Sequence, residues 1–502
     1  MADLVVAAPL FVERLAVRLG LPAASAGRIV RTGMGPRRTR RRLPRIAGDG
    51  PLAVLGVAGA LQADLRPGDL VVASEVRRAD APDVAVATCP SAALLAGALR
   101  RAGLRVHVGP VVSSSRVVHG RERAALAATG ALAVDMESAD LVVTWPLRPL
   151  AVVRAIVDTP DFPLLRLGTA RRGVLALRSL RRAAAVVAEW ADAASSRGVV
   201  LASPRSFCAG VDRAIDIVTR AVERFGAPVY VRRQVVHNAH VVAGLERHGV
   251  VFVEELDEVP VGARVVLAAH GVAPSVRHEA VERSLSVIDA TCPLVAKVHT
   301  EVRRSAAAGH TVVLIGHGDH EEVVGTVGEA PGRVRVVADE AQAATIEVDD
   351  PALVSYVAQT TLAVDEAQRI STVLRSRFPK LRVPRQDGIC YATTNRQQAV
   401  RDIAGDVDLL LVVGSHNSSN SQRLVEVARR AGVPSYLVDD AAGIELRWLH
   451  GVRRVGLTAG ASAPPHLVDD IVGVISGLGT VTVREHHSVD EDVRFTLPKE
   501  VS

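Results

Sequence analysis

The chain has 502 residues, close to half of them apolar, a formal net charge of +6 and four cysteines. That length exceeds what one hydrophobic core serves and implies several domains, and so few cysteines exclude a disulfide scaffold and suit a reducing compartment where thiols serve metals or catalysis. No run reaches the roughly eighteen apolar residues of a membrane span and no signal-peptide pattern opens the chain, so a cytoplasmic protein without a membrane span is expected.

The first region, residues 1–195, opens on the apolar strand Asp3-Leu-Val-Val-Ala-Ala. Gly33-Met-Gly35 follows, a glycine pair that lets a backbone approach an anion. The basic balance raises a nucleic-acid reading, and Arg37-Arg-Thr-Arg-Arg-Arg-Leu-Pro-Arg45 is its densest cluster. The run is short and no aromatic residue interleaves it for stacking, so it reads as a solvated surface loop, with no nucleic-acid partner. A second strand from Leu52 runs into Gly56 and Gly59, and Gly68-Asp69 reads as a turn before a third.

With Ala133-Val-Asp135-Met136-Glu137-Ser138 and Val153-Arg154-Ala-Ile-Val-Asp158, this region resembles the nucleoside phosphorylase and nucleosidase family, including its hopanoid-associated members. The resemblance implies that Met136 and Glu137 hold ribose hydroxyls and that Asp158 protonates a departing purine, a role that needs a carboxyl kept protonated. Hydrolytic members carry an acidic residue just after the first strand. The aligned position here is Leu10, which leaves phosphorolysis or an inactive site. On the residues alone, Glu137 and Asp158 also read as surface or capping carboxylates. Val174–Ala194 has helical spacing and closes the domain, and Ser195-Ser-Arg-Gly198 is the joint.

A new strand at Val199 leads to Ser203-Pro-Arg-Ser-Phe-Cys208, and Asp212–Phe225 is an amphipathic helix stopped by Gly226 and Pro228. Short Val/Leu/Ile runs then alternate with polar groups: His237-Asn238, His270-Gly271, Ala290-Thr-Cys292-Pro, His320-Glu-Glu322, Gln359-Thr360-Thr361, Gly388-Ile-Cys390, Ser418-Ser419-Asn420 and Ser462-Ala-Pro464. Polar groups after strands of a parallel sheet mark the ligand-binding edge. Ser462-Ala-Pro464-Pro465 also reads as a helix start, a setting that attracts phosphate. None of the cysteines forms a CxxC pair, which excludes a zinc ribbon or thioredoxin-type pair. Three thiolates from separate segments suit an iron–sulfur cubane with one open iron; the alternative is three buried, inert thiols.

RSFCAGVDRAI, VVHN, AAHGV, DATCPLVAKVH, HEEVVG, QTTL, CYATTNRQ, GSHNSSNSQRL and TAGASAP, in this order, resemble 4-hydroxy-3-methylbut-2-enyl diphosphate reductase over residues 199–500. The resemblance implies one 4Fe-4S cluster held by Cys208, Cys292 and Cys390, and three small α/β domains (about 199–291, 292–388 and 389–480, with a C-terminal tail) in a trefoil around it. It also implies a small-molecule diphosphate substrate bound by His237, His270, His320, Ser418, Ser419, Asn420 and Ser462. Glu322 is the implied proton donor and Thr360 the residue that orients the substrate hydroxyl, with ferredoxin or flavodoxin as electron donor. Glu321 is expected to point elsewhere. Ser206 departs from the family glycine, a strained choice if that backbone needs a positive φ. The fold class expected is α/β throughout, a nucleoside phosphorylase-like domain followed by the reductase region. Two alternatives stand beside reductase activity: nucleoside or adenosyl-lipid phosphorolysis as the main reaction, and a non-enzymatic iron–sulfur sensor, which would need the cysteines but not Glu322.

Overall fold

The computed structural model describes residues 4–23, 28–46, 48–143, 148–164, 168–383 and 388–502; Asp3, at the start of the first expected strand, lies outside them. The chain forms two compact units. The first comprises residues 1–199, 440–455 and 469–483, and the second the remainder, whereas the sequence places a single joint at Ser195–Gly198.

In the first unit, Val5–Ala8 lies parallel to Arg28–Arg31 on one side and to Leu52–Ala60 on the other. Leu150–Asp158 is buried along its whole length and pairs with both Leu52–Ala60 and Leu70–Arg78. Those two strands are also linked through Ala133–Asp135 and Val106–Ser113, so the sheet closes on itself. Leu52–Ala60 continues through its glycines instead of ending at them. A Cβ at Gly56 would lie 2.3 Å from Arg154 Nη1, and one at Gly59 2.9 Å from Asp158 Oδ1, so both positions leave room for charged side chains.

The basic cluster is not a loop. Pro36–Arg42 is a helix followed by a 3-10 turn at Leu43–Arg45. Proline at the first helical position is preorganised for that start, and arginine is a good helix former. Thr39 is buried and Arg40 pairs with Asp140 at 3.1 Å.

Helix Thr169–Ala193 closes this part as expected, with Leu180, Val187 and Trp190 buried. Residues 440–455 join the unit through helix Ala92–Arg101. Its Gly97 faces the backbone of Ala442, where a Cβ would come within 2.0 Å of the carbonyl oxygen. Arg101 donates to the carbonyls of Ala442 (2.6 Å) and Ile444 (2.7 Å).

The remaining strands form three sheets. Val250–Val253, Val229–Arg232, Arg264–Leu267 and Ser286–Asp289 run parallel in that order. Val334–Val337, Thr311–Ile315 and Val354–Ala358 form the second, also parallel. The third has the order Ser435–Val438, Leu409–Val413, Arg454–Ala459, Arg197–Ser203 and Val481–His487. Arg197–Ser203, the strand leading to Cys208, thus belongs to the third sheet, while helix Ala209–Phe225 after it packs on the core of the first, against Val231 and Val266. That exchange is a non-local pairing, and a division by sequence order into 199–291 and 389–480 does not reveal it.

Two helical glycines should respond oppositely to alanine. Gly97→Ala overpacks a close backbone contact and is expected to cost about 1–3 kcal/mol. Gly473, in helix Pro465–Ser476, has nothing within 4 Å of the place an added methyl would take, so Gly473→Ala should gain up to about 1 kcal/mol of helix propensity. Chemical denaturation of the full chain checks both signs.

Candidate active site

Eight strands deliver side chains to one cavity. Arg197–Ser203 leads to Cys208, Val229–Arg232 to His237, Arg264–Leu267 to His270, and Ser286–Asp289 to Cys292. Thr311–Ile315 leads to His320 and Glu322, Val354–Ala358 to Thr360, Leu409–Val413 to Ser418, Ser419 and Asn420, and Arg454–Ala459 to Ser462. Cys390, which caps helix Tyr391–Ala404, completes the lining. Every residue that the sequence proposed for the reductase region therefore lines one cavity, and all but Cys390 lie just beyond the carboxyl end of a strand. Val211 and Phe495 also line it, and neither stands out in the sequence; a bare apolar residue in a helix or tail carries no chemical signal.

Glu322 is 3% exposed. Its Oε1 accepts the Thr360 N–H at 2.6 Å and its Oε2 the Thr360 hydroxyl at 2.8 Å. Burial raises the carboxyl to about 7 against the lowering effect of those two bonds. The three histidines form a stack with an edge: His237 and His270 lie with ring centroids 4.1 Å apart, and His320 meets them at 5.6 and 6.0 Å. Burial, helped by their mutual repulsion, lowers His237 to about 4 and His270 well below its usual value; burial and His317 lower His320 to about 4. His320 Nδ1 accepts the Glu322 N–H at 3.1 Å, which leaves its proton on Nε2 as a donor for a ligand. His270 Nε2 is buried without a partner.

Ser418 caps helix Ser419–Arg430 and sits 3.3 Å from the Ser462 hydroxyl, while Asn420 Oδ1 accepts the Ala461 N–H at 3.0 Å. Glu321 is absent from the cavity lining, yet it is not remote from the site. Its carboxylate lies within 4.8 Å of ligand atoms of His237 and His270 and 3.6 Å from Arg233. The helix that begins at Glu321 turns consecutive residues about 100° apart, so Glu322 lines the cavity while Glu321 lies beside it, between the histidines and Arg233.

The thiols of Cys208 and Cys292 converge over Gly210, where a Cβ would lie 2.7 Å from Cys292 Sγ and 3.8 Å from Cys208 Sγ. Burial pushes Cys292 up to about 11 and Cys390 up to about 12. Cys390 Sγ lies 3.1 Å from the Thr393 hydroxyl. Among the described residues, the cavity lining holds no lysine or arginine to balance thiolates. Three soft donors that lack a protein counter-charge fit a cationic, thiophilic group such as an iron–sulfur centre. Cys89 is 2% exposed, lies outside this cavity and is pushed up to about 12 by burial.

The model of the LytB protein family matches residues 199–476, more than half of the chain. The chain belongs to the LytB protein family. Its members are iron–sulfur enzymes. A 4-hydroxy-3-methylbut-2-enyl diphosphate reductase from Xanthomonas oryzae pv. oryzae is 55% identical over 308 residues, 60% of this chain and 98% of that protein. One from Acidothermus cellulolyticus is 56% identical over 306 residues, 61% of this chain and 90% of that protein. The solved E-1-hydroxy-2-methyl-but-2-enyl-4-diphosphate reductase of Plasmodium falciparum is 35% identical with a TM-score of 0.59, covering 61% of this chain and 97% of that one. Residues 27–162 match the model of the Phosphorylase superfamily. Among the described residues, no helix is long and apolar enough to cross a membrane.

Outside the LytB region, Met136, Glu137 and Asp158 line one pocket of the first unit, together with Glu13 and Arg123. Gly35 N–H donates to Glu137 Oε1 at 2.8 Å, so the anion that the glycine pair approaches is this protein's own carboxylate. Burial and neighbouring Asp135 raise Glu137 to about 7. Asp158 Oδ2 accepts from buried Arg123 at 2.7 Å. Three residues after Leu10, Glu13 also faces this pocket: its Oε2 accepts the Leu10 N–H at 2.5 Å and its Oε1 the Val57 N–H at 2.8 Å, and burial raises its carboxyl. Matching by offset from the strand misses it, although a lone glutamate in an apolar first turn is a usable signal.

The Thr360 hydroxyl favours the ionised form of Glu322. Thr360→Val should therefore move its titration upward from about 7, as read by infrared titration of the carboxyl band. An unchanged or lower midpoint would contradict the hydrogen-bond assignment.

Proposed function

We propose that the LytB region reduces (E)-4-hydroxy-3-methylbut-2-enyl diphosphate to isopentenyl diphosphate and dimethylallyl diphosphate, the last step of the non-mevalonate isoprenoid pathway. The reaction takes two electrons and two protons and releases the hydroxyl as water. Ferredoxin or flavodoxin would be the donor, in the cytoplasm. The observation that carries this reading is a buried carboxyl, its pKa raised by that burial, hydrogen-bonded to a threonine hydroxyl in a cavity ringed by three thiols and three imidazoles. A sensor would need the thiols but not that acid.

In this reading Cys208, Cys292 and Cys390 hold one 4Fe-4S cluster. When bound, the cluster would supply electrons singly and an open iron to polarise the substrate hydroxyl. The chain's own residues do the rest. Thr360 orients the hydroxyl, and Glu322 delivers the proton that leaves with it. His237, His270 and His320, with Ser418, Ser419, Asn420 and Ser462, receive the diphosphate. Of these, His270 Nε2 is buried without a protein partner, and His320 carries its proton on Nε2, where it can be given to a ligand.

A second reading concerns the first unit. Glu13, placed with Glu137 and Asp158 around one pocket, supports glycosidic cleavage of a nucleoside by water that Glu13 activates, in place of the phosphorolysis or inactive site that Leu10 leaves. Glu13→Gln should then abolish base release from a nucleoside without altering reductase turnover. Base release that persists would rule out this role.

Two tests address the LytB region. Serine at Cys208, Cys292 or Cys390 should deplete iron in anaerobically purified protein, whereas Cys89→Ser should leave it full; full iron in any of the first three would refute the ligand set. A donor that titrates near 7 is protonated below that pH and ionised above it, so turnover should fall about tenfold per pH unit on the alkaline side. A flat profile from pH 6 to about 9 would contradict proton delivery by Glu322.

A further inference from the structure

Arg396 stands in helix Tyr391–Ala404, beyond Cys390, and its side chain is fully buried. Its five N–H donors are all engaged by the chain. Nε and Nη2 donate to the Ser206 carbonyl at 3.1 and 2.8 Å, and Nη2 also to the Phe207 carbonyl at 3.2 Å. Nη1 donates to the Ala392 carbonyl at 3.1 Å and to Glu491 at 3.0 and 3.2 Å. One guanidinium therefore joins the two residues before Cys208, the helix that Cys390 caps, and the C-terminal tail.

The same contacts account for Ser206. Its φ is +61°, the left-handed region that favours glycine, and its hydroxyl is buried without a partner. Two donors of Arg396 take its carbonyl, while its own N–H donates to the Ala459 carbonyl at 3.2 Å. The turn that presents Cys208 is clamped on both sides. Packing alone would not call for this arrangement, because an apolar side chain of similar size would fill the space without a buried charge. Arginine's planar fork suits two carbonyls and a carboxylate at once, whereas lysine offers its donors from a single point. Glu491 supplies the countercharge, and its tail continues to Phe495, which lines the thiol cavity, and to Thr496, whose carbonyl accepts from Arg213 at 2.8 Å.

We infer that Arg396 is the positioning residue that sets the Cys208 thiol against the Cys390 thiol, with Glu491 as the latch that ties the C-terminal tail to the same group. The inference rests on the reading of these cysteines as cluster ligands. It concerns how they are held, and assigns Arg396 no contact with substrate.

The test uses the full chain, purified anaerobically, as wild type, Arg396→Lys, Glu491→Gln and the exposed-pair control Arg220→Lys. Iron content, the electron paramagnetic resonance spectrum after reduction, iron loss to a chelator and the melting of the metal-free chain are measured. Arg396→Lys should lose iron about ten- to a hundredfold faster and show an altered spectrum while the metal-free chain still melts cooperatively. Glu491→Gln should change in the same direction by less, and Arg220→Lys should match wild type. Wild-type spectra and chelation rates in both Arg396→Lys and Glu491→Gln would overturn the inference and leave the cluster reading intact. If Arg396→Lys does not fold, Glu491→Gln decides alone: an altered spectrum supports the inference and an unaltered one overturns it. A wild-type chain that holds no iron would instead sink the cluster reading, and the inference with it.

Discussion

Removing ionisable groups from water penalises their charged forms, and in the LytB cavity that penalty falls at once on a carboxyl, three imidazoles and the thiols of Cys292 and Cys390. The consequences run in opposite directions for different groups. Glu322 is kept able to hold a proton near neutrality, which a proton donor needs. The histidines are kept neutral and serve as hydrogen-bond donors, and their attraction for an anion grows only when that anion arrives to offset the cost of charging them. The thiols are left without a protein countercharge, a condition that a cationic centre relieves. A more open site would lose all three properties together.

This concentration depends on topology. The strands of three sheets end toward the same cavity, so side chains far apart in sequence converge there without long loops. Arg197–Ser203 makes the arrangement tighter: it runs in the third sheet, yet the helix that follows packs on the first, and Cys208 sits where the chain passes between them. The first unit follows a comparable rule with a different sheet. There Gly56 and Gly59 replace bulk with space, and Arg154, Asp158 and Glu13 occupy it.

Much of this is legible in the residues, for identifiable reasons. Cys208, Cys292, Cys390, Glu322 and Thr360 lie in long motifs with fixed order, and the strand-then-polar pattern places all but Cys390 at strand ends. The departure at Ser206 is readable too, because positive φ is a property that glycine normally signals and serine does not. Other features depend on direction or distance and leave no such mark. Glu321 faces the histidines because of where its helix begins. Glu13 enters its pocket from a helical turn past the strand. Arg396 looks like an ordinary helical arginine until the Ser206 carbonyl, 190 residues away in sequence, is folded against it. The arginine cluster reads as a loop when its charge alone is weighed, but Pro36 ahead of it starts a helix.

The central claim is that Glu322 supplies the proton during carbon–oxygen cleavage and contributes little to holding the substrate. Single-turnover reduction of the hydroxylated diphosphate by pre-reduced Glu322→Gln, with substrate affinity measured on the same preparation, tests it most directly. The account predicts a rate lower by on the order of a hundredfold to ten-thousandfold, with iron content and affinity near those of wild type. A Glu322→Gln variant that retains its cluster and reduces substrate at close to the wild-type rate would contradict it.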